Sequence, residues 1–521
     1  MNEMNGAESL VTTLAASDVG LCFANPGTSE MHFVAALDRI PGLRCVLALF
    51  EGVATGAADG YWRMTGKPAA TLLHLGPGLG NGWANLHNAG KARSGIVNIV
   101  GDHATDHLRY ASPLNSDLPG VAQSVSHWVR RTAKAADVGA DGAAAVAATR
   151  DGAVGRIATL LLPADTAWGA GGRAAVAAPP AAAPAAPSAA IEAAARTLST
   201  LGEHAVLLLG AGGARNELAQ RLAAAIAAKT GCRLLAEFYN ARMPGGRGRP
   251  RIERLPYVVD AAVALLAGTQ ALVLAGSVEP IAFFAYPGKA RQLKPPGAAL
   301  LTLADAREDV PGALQALADA LGVRVDRDPL PVTIASPGLP SGALNAESIV
   351  AAIVATLPEQ AIVVDEAVSS GRGFALRMAG AAPHDWLQGM GGAIGFGLPC
   401  AVGAAIGAPG RPVLALEGDG SAMYTLQALW TMARESLPVV VLIFANRAYR
   451  ILQGELVGVG AQISGAKAAS MLSLDGPALD WLALARGHGL AAERVEDAGA
   501  LAQALQRGFD SRAPCLIELL L

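Results

Sequence analysis

The chain has 521 residues, of which 52% are hydrophobic and 16% charged, and its formal net charge is −3. This length predicts two to four domains, and the near-neutral charge gives no general attraction to nucleic acid or an anionic membrane. The chain carries no apolar leader and no uninterrupted apolar run of about 20 residues, and its five cysteines are scattered without a CxxC pair, so we expect a cytoplasmic protein without a zinc ribbon.

Two segments rich in proline divide the chain. The first is an Ala/Pro linker at 174–189, and the second, Asp326–Asn345, is rich in Pro and turn residues. The expected domains are therefore 1–173, 190–330 and 345–521. Within each, short apolar runs alternate with helical patterns, which predicts parallel strands covered by helices on both faces. We predict an α/β fold of three doubly wound parallel-sheet domains.

In the first domain, polar residues follow the predicted strands. The segment NPGTSE follows the apolar run 21–24, and GPGLGN follows His74 at the end of another run. Ligands of parallel sheets bind at the carboxyl ends of strands, so both loops are candidate site loops. Glu51 ends an apolar run and begins a helix of small residues, where a carboxylate is suited to proton sharing. An ordinary first-turn glutamate, favoured by the helix dipole, is the alternative.

The middle domain carries two patterns of less certain meaning. Gly210–Asn216, GAGGARN, resembles a dinucleotide-binding loop but lacks the third glycine, and the sequence offers no clear acidic partner for a ribose. The pattern therefore does not favour an NAD-dependent dehydrogenase. The stretch Arg242–Arg254 holds several arginines interrupted by Gly and Pro, which we interpret as a solvated loop.

The third domain carries the strongest signal. Asp419, within Gly418–Ser421 (GDGS), follows one predicted strand, and Asn446 follows the next after a helical crossover. In a parallel pair both side chains emerge at the same sheet edge. Carboxylate and amide oxygens are hard ligands of the kind that Mg²⁺ prefers, and Mg²⁺ completes its octahedron with phosphate and water. The alternative for a lone GDG is a tight turn.

The pattern GDGS followed by AN resembles the thiamine diphosphate motif of the enzyme family that includes benzoylformate decarboxylase, pyruvate decarboxylase and acetolactate synthase. The resemblance spans nearly the whole chain. It implies a pyrimidine-binding, a central Rossmann-like and a diphosphate-binding domain, in chain order. It further implies that Asp419, Asn446 and the carbonyl of Ala448 hold Mg²⁺, and that Glu51 activates thiamine diphosphate through its aminopyrimidine ring.

The same resemblance implies further cofactor contacts. In the third domain, the hydroxyls of Ser369 and Ser370 would bind the diphosphate. The carbonyl of Gly392 would accept from the aminopyrimidine, and the Ile394 side chain would hold the cofactor bent. The other cofactor-binding residues that we expect are Pro26, Gly27, Gly420, Ser421, Tyr424 and Tyr449.

Two first-domain loops resemble those of benzoylformate decarboxylase. His74 matches a catalytic histidine and is the candidate proton relay, with a structural histidine as the alternative, and Thr28 stands where the decarboxylase carries a serine. The decarboxylase also uses a histidine from its middle domain, and this chain carries Phe283 or Phe284 there. His103 is a candidate substitute for that missing base. The loop after His74 equally resembles acetolactate synthase.

We therefore predict non-oxidative decarboxylation of a small-molecule 2-oxo acid with thiamine diphosphate and Mg²⁺, and carboligation as a side activity. An acetolactate synthase-like carboligase that uses pyruvate is the alternative, and an inactive subunit or binding homologue is a further one. FAD in the central domain is an alternative cofactor. The resemblance also implies a homodimer or homotetramer with active sites at subunit interfaces. The sequence leaves the particular 2-oxo acid and acceptor aldehyde open.

Overall fold

A computed structural model describes residues 3–325, 338–461 and 465–521. These residues form three large sheets, each covered by helices, which confirms the predicted α/β architecture. Most of the Pro-rich segment Asp326–Asn345 lies outside the described residues. The Ala/Pro stretch 174–187 has neither helix nor strand. No helix within the described part of the chain combines the length and apolar character needed to cross a membrane.

The first sheet has six strands, all parallel, and includes strands at the apolar run 21–24, at the run before Glu51 and at the run that ends at His74. Its spatial order is Arg44–Leu47, Leu21–Ala24, Ala69–His74, Ile96–Asp102, Ile157–Pro163 and Trp128–Arg131. The accompanying helices are Gly6–Ala16, Met31–Leu37, Glu51–Thr65, Leu75–Ala92, Leu118–Gln123, Val138–Ala148 and Ala164–Trp168. A short hairpin joins Arg150–Asp151 to Val154–Gly155.

The second sheet has five parallel strands. Its order is Glu253–Arg254, Arg233–Ala236, Ala205–Leu209, Ala271–Ala275 and Ala299–Ala304. The helices of this domain are Ser188–Leu201, Ala211–Arg215, Glu217–Thr230, Val259–Leu265 and Val310–Ala320.

The third sheet has seven strands, of which one edge strand is antiparallel and comes from the middle part of the chain. Its order is Met243–Gly245, His384–Gln388, Ala361–Glu366, Val413–Gly418, Val439–Ala445, Cys515–Leu520 and Ala491–Val495. Its helices are Ala346–Thr356, Phe374–Arg377, Gly397–Gly407, Asp419–Ala422, Ala428–Arg434, Arg450–Gly458, Ala466–Ser470, Trp481–Gly487 and Ala498–Ser511.

The interpretation of Arg242–Arg254 as a solvated loop is wrong. Arg242 pairs with Asp385 at 2.9 Å, and Arg249 donates to the carbonyl of His384 at 2.6 Å. Between them the edge strand Met243–Gly245 completes the third sheet. The partners of these arginines are a carboxylate and a main-chain carbonyl that lie more than a hundred residues away along the chain. The local spacing of Gly and Pro does not indicate such partners.

The first and third domains meet through two helices of small residues, Glu51–Thr65 and Gly397–Gly407. A Cβ on Gly403 would lie 1.8 Å from the carbonyl oxygen of Ala57, and one on Gly60 would lie 2.2 Å from that of Cys400. The two backbones are therefore in direct contact, and only glycine fits at these positions.

Arg63, near the end of the helix that Glu51 begins, joins all three domains. Its guanidinium donates to both carboxylate oxygens of Asp59, at 2.8 and 2.7 Å, with both side chains 1% exposed. The remaining terminal nitrogen donates to the carbonyls of Ala241 and Gln388 at 3.1 and 2.5 Å. The guanidinium carbon also lies 4.6 Å from the ring centre of Phe396.

We predict that Asp59→Asn destabilises the folded protein by about 3–5 kcal/mol, because it leaves the buried Arg63 charge without its counter-ion. Urea unfolding followed by circular dichroism measures the change. The matched control is Glu192→Gln, which removes an exposed pair of the same i,i+4 spacing with Arg196 and should leave the midpoint unchanged. Equal effects of the two substitutions would contradict the role given to Arg63.

Candidate active site

Asp419 and Asn446 lie at one edge of the third sheet. The strands Val413–Gly418 and Val439–Ala445 that precede them are parallel neighbours, as the sequence predicted. The Asp419 carboxylate accepts the N–H groups of Arg447 and Gly420 at 2.6 and 2.9 Å. The Asn446 side-chain oxygen accepts the N–H of Ala448 at 3.0 Å. Each side chain therefore holds its own turn in place, at the position where a cation could bind.

Three loops of the third domain converge around this pair. The Ser370 hydroxyl lies 3.5 Å from the side-chain nitrogen of Asn446. The Ser421 hydroxyl donates to the carbonyl of Gly418 at 3.1 Å. A Cβ on Gly420 would lie 2.6 Å from the Tyr449 ring, so the GDGS turn is pressed against the loop after Asn446.

The donors at this edge fit Mg²⁺ in combination with a diphosphate. The structure places one carboxylate and one amide oxygen here, both hard oxygens, and the resemblance adds the carbonyl of Ala448. Burial raises the pKa of Asp419, because it disfavours the charged carboxylate, and a nearby cation would stabilise that charged form. Within the described residues no group of three or more His, Cys, Asp or Glu side chains could hold a metal ion. Mg²⁺ takes six oxygen ligands, so phosphate and water oxygens would complete the coordination of an ion at this edge.

A glycine-rich loop before the helix Gly397–Gly407 is held by a buried carboxylate. Glu366 accepts the N–H groups of Gly395, Phe396 and Gly397 at 3.0, 3.1 and 2.8 Å, and burial raises its pKa to about 7. The sequence analysis assigned no role to this glutamate. Its function depends on a loop 30 residues away.

Gly392, in the same loop, lies directly beneath the middle domain. Its φ of +76° is the left-handed conformation that favours glycine. A Cβ at this position would lie 2.5 Å from the para carbon of Phe283. A Cβ on Gly395 would likewise lie 2.7 Å from the Cβ of Tyr424, so this tyrosine packs closely against Gly395. Phe283, one of the two phenylalanines in the stretch where the decarboxylase carries its second histidine, therefore contacts the loop where the cofactor is expected.

Glu51 is 6% exposed and begins its helix directly after Phe50. Its carboxylate accepts from the Asn81 side chain at 3.0 Å. A Cβ on Gly78 would lie 3.1 Å from the other carboxylate oxygen, so the start of the helix Leu75–Ala92 covers this side chain closely. The prediction of a loop at GPGLGN is wrong, because these residues form the first turns of that helix, and the contact with Asn81 was not predicted.

His74 forms a pair with Glu30. The His74 Nδ1 lies 2.8 Å from a carboxylate oxygen of Glu30, which also accepts the N–H of Gly27 at 2.7 Å. Burial raises the pKa of Glu30, although His74 and Gly27 act in the opposite direction. Glu30 thus orients the ring and leaves Nε2 for other contacts. Thr28 is exposed in the same turn, beside the half-buried Pro26.

His103 lies among residues of its own loop. It is 3.0 Å from the Ser112 hydroxyl, and its ring centre is 5.5 Å from that of His107. Asp102 pairs with Arg131 at 2.8 Å. These contacts do not connect His103 with Phe283, whose neighbours lie in the middle and third domains.

The helix Leu75–Ala92 connects the first domain with the glycine-rich loop of the third domain. The Asn85 side chain donates to the carbonyls of Gly52 and Gly395, at 2.9 and 3.0 Å. His87 lies 3.1 Å from the carbonyl of Gly391. The backbone next to Glu51 and the glycine-rich loop are therefore held at a fixed separation.

A cavity of about 450 Å³ lies between the first and middle domains and is lined by several cationic side chains and also by Tyr257 and Phe283. Glu237 stands in it at the end of Arg233–Ala236, the strand next to the one that precedes Gly210–Asn216. A Cβ on Gly210 would lie 2.7 Å from the Glu237 carboxylate. An acidic residue thus occupies the place where dinucleotide-binding folds hold a ribose. The sequence showed no clear acidic partner at this position, because strand order rather than local spacing brings Glu237 beside Gly210.

Comparison with known proteins gives matches to family models and to whole chains. Residues 4–126 match the thiamine pyrophosphate enzyme N-terminal TPP binding domain, and residues 372–519 match the C-terminal TPP binding domain. The chain is 50% identical to the Mycobacterium tuberculosis protein named "Putative acetolactate synthase large subunit IlvX", over 99% of both chains. It is 30% identical to benzoylformate decarboxylase of Pseudomonas aeruginosa, over 95% of both.

A solved structure is also similar over nearly the whole chain. It is the thiamine diphosphate-dependent 4-hydroxybenzoylformate decarboxylase of Rhodococcus jostii RHA1, with a TM-score of 0.82 and 25% identity, covering 99% of this chain and 98% of that one. The similarity includes all three domains.

We predict that Glu237→Gln makes the thermal midpoint less dependent on pH. Burial raises the pKa of Glu237 from 4.5 to about 7, so between these values the folded protein binds more protons than the unfolded chain. Wild-type stability should therefore fall, relative to the variant, as the pH rises through this window. Differential scanning fluorimetry at several pH values measures the difference, with the exposed Glu203→Gln as control. A difference that is constant with pH would contradict the shift.

Proposed function

Because the chain belongs to the thiamine pyrophosphate enzyme family, we propose that it decarboxylates a 2-oxo acid non-oxidatively with thiamine diphosphate and Mg²⁺. The observation that carries this proposal is the convergence of Asp419, Asn446 and Ser370 at one sheet edge, beside a glycine loop linked to the backbone next to Glu51. Bound thiamine diphosphate supplies the carbon nucleophile and the electron sink that loss of CO₂ requires.

The side chains divide the work between binding and proton transfer. Asp419, Asn446 and the carbonyl of Ala448 would hold Mg²⁺, with Ser369 and Ser370 on the diphosphate. Asn81 donates to one carboxyl oxygen of Glu51, which leaves the other to share a proton with the cofactor's aminopyrimidine.

His74 would move a proton at the substrate. Glu30 contacts Nδ1 of the ring, so Nε2 is the nitrogen available for transfer. Thr28, in the turn that also carries Glu30, would present its hydroxyl on the same side. Pro26 and Gly27 shape this turn.

The substrate that fits the site best is a 2-oxo acid with an apolar aromatic side chain. Phe283 and Phe284 are in edge-to-face contact with ring centres 4.8 Å apart, and Tyr257 lies 5.7 Å from Phe283. Phe283 contacts Gly392, so this aromatic wall borders the expected cofactor position. The similar R. jostii enzyme is named for an aromatic 2-oxo acid, which supports the proposal. An acetolactate synthase-like carboligase is the second candidate, favoured by the 50% identical relative.

FAD is the alternative occupant of the cavity between the first and middle domains. Glu237 favours it, because a carboxylate at this strand end can accept from ribose hydroxyls. Arg215 and Arg242, which also line the cavity, could meet a diphosphate. We assign no step of the reaction to a flavin.

We also propose a homodimer, or a tetramer built from it, in a soluble cytoplasmic enzyme. Large apolar side chains are exposed around the candidate site: Leu49 at 47%, Trp83 at 38% and Tyr424 at 53%. Exposed large apolar groups on the segments that carry the expected site residues favour burial against another chain.

Removal of thiamine diphosphate and Mg²⁺ should abolish turnover, and adding both back should restore it. Glu51→Gln should lower kcat at least about 100-fold, because a proton-sharing group is lost. Binding of the cofactor, followed by tryptophan fluorescence, should persist in this variant, since the metal loop is unchanged. Glu203→Gln is the exposed control. Wild-type turnover after complete cofactor removal would refute the proposed chemistry.

A panel of 2-oxo acids separates the two candidate activities. Aryl 2-oxo acids should give aldehyde and CO₂ with higher kcat/KM than pyruvate. Phe283→Ala should lower kcat/KM for the aryl substrates about tenfold and have little effect on pyruvate, because the loss of one aromatic contact with the substrate costs about 1–2 kcal/mol. Acetolactate as the main product from pyruvate would instead favour the synthase.

A further inference from the structure

The helix Arg450–Gly458 begins directly after the loop that carries Asn446, Ala448 and Tyr449. None of its residues is fully buried. Packing of an apolar face therefore does little to fix its position, although any movement of it would be transmitted to the expected metal loop. The position of this helix therefore depends largely on its polar contacts with the rest of the molecule.

Glu455 makes the main polar contact of this helix with the middle domain. One carboxylate oxygen accepts from the Tyr286 hydroxyl at 2.7 Å, and the other accepts from the Tyr257 hydroxyl at 3.2 Å. The Tyr286 ring also packs on the helix one turn further on, 3.3 Å from where a Cβ on Gly458 would lie. Two phenols from another domain thus share one carboxylate.

The same middle-domain residues reach the other two cofactor loops. The guanidinium of Arg372, two residues after Ser370, lies 5.3 Å from the Tyr257 ring centre. Phe283, in the same segment as Tyr286, covers Gly392. Tyr257, Tyr286 and Phe283 therefore contact the diphosphate loop, the helix after the metal loop and the glycine loop at once.

We propose that Glu455 is a positioning residue that keeps the metal loop in its binding geometry by tying the helix Arg450–Gly458 to Tyr257 and Tyr286. Retention of thiamine diphosphate and Mg²⁺ then depends on the middle domain, which supplies none of the expected metal ligands. The inference rests on the proposed function, because it concerns the same cofactor site. It adds a residue that lies outside the expected ligand and catalytic sets.

The test measures cofactor affinity in Glu455→Gln, Tyr286→Phe and the double variant. Thiamine diphosphate is titrated into each full-length protein at saturating Mg²⁺, with tryptophan fluorescence or calorimetry as readout. Each single substitution should raise the Kd about tenfold, because a hydrogen bond to a charged group is weakened or lost. The double variant should exceed Glu455→Gln by less than about twofold, since both changes act on the same contact.

Glu493→Gln is the matched control, because Glu493 is partly exposed and paired with Arg507 on the same domain. Its Kd should equal that of the wild type, and the thermal midpoint of cofactor-free Glu455→Gln should stay close to the wild-type value. An unchanged Kd in Glu455→Gln, or fold-changes that multiply in the double variant, would overturn the positioning role alone. A wild-type protein that binds no thiamine diphosphate would overturn the proposed function as well.

Discussion

The buried pair of Asp59 and Arg63 is the contact on which the arrangement of the three domains depends. A buried ion pair is costly unless every donor is satisfied. Here the guanidinium donates to one carboxylate and two main-chain carbonyls, one from the middle and one from the third domain. Its face covers Phe396, which belongs to the glycine-rich loop. Because Glu51 begins the same helix, the position of its carboxylate relative to that loop is set by this junction.

The small residues after Glu51 serve packing as well as chemistry. Gly60 and Gly403 allow two helix backbones to touch, at distances that any larger side chain would prevent. Asn85 then joins the Glu51 end of this helix pair to the glycine loop. The rigid junction between the first and third domains is therefore continuous with the candidate site, and a change in the packing would reach the chemistry.

The sequence was most informative where function follows from position on a parallel sheet. Asp419 and Asn446 each follow an apolar run, and parallel strands bring such residues to one edge without any long-range information. The roles of Glu30, Glu237 and Glu366 were not predicted, because they depend on partners that strand order or loop folding brings close. The interpretation of Arg242–Arg254 as a solvated loop failed for the same reason, since the edge of the third domain's sheet determines the environment of these arginines. The domain boundaries and the identity of the catalytic residues stay predictions.

Isothermal titration calorimetry of thiamine diphosphate into cofactor-free protein tests the central claim most directly. The account predicts one site per chain in the presence of Mg²⁺. Affinity should fall sharply when Mg²⁺ is chelated and when Asp419 is changed to Ala, because the diphosphate would then lose the cation that joins it to the third domain. Binding that is equally tight without Mg²⁺, or in Asp419→Ala, would contradict it.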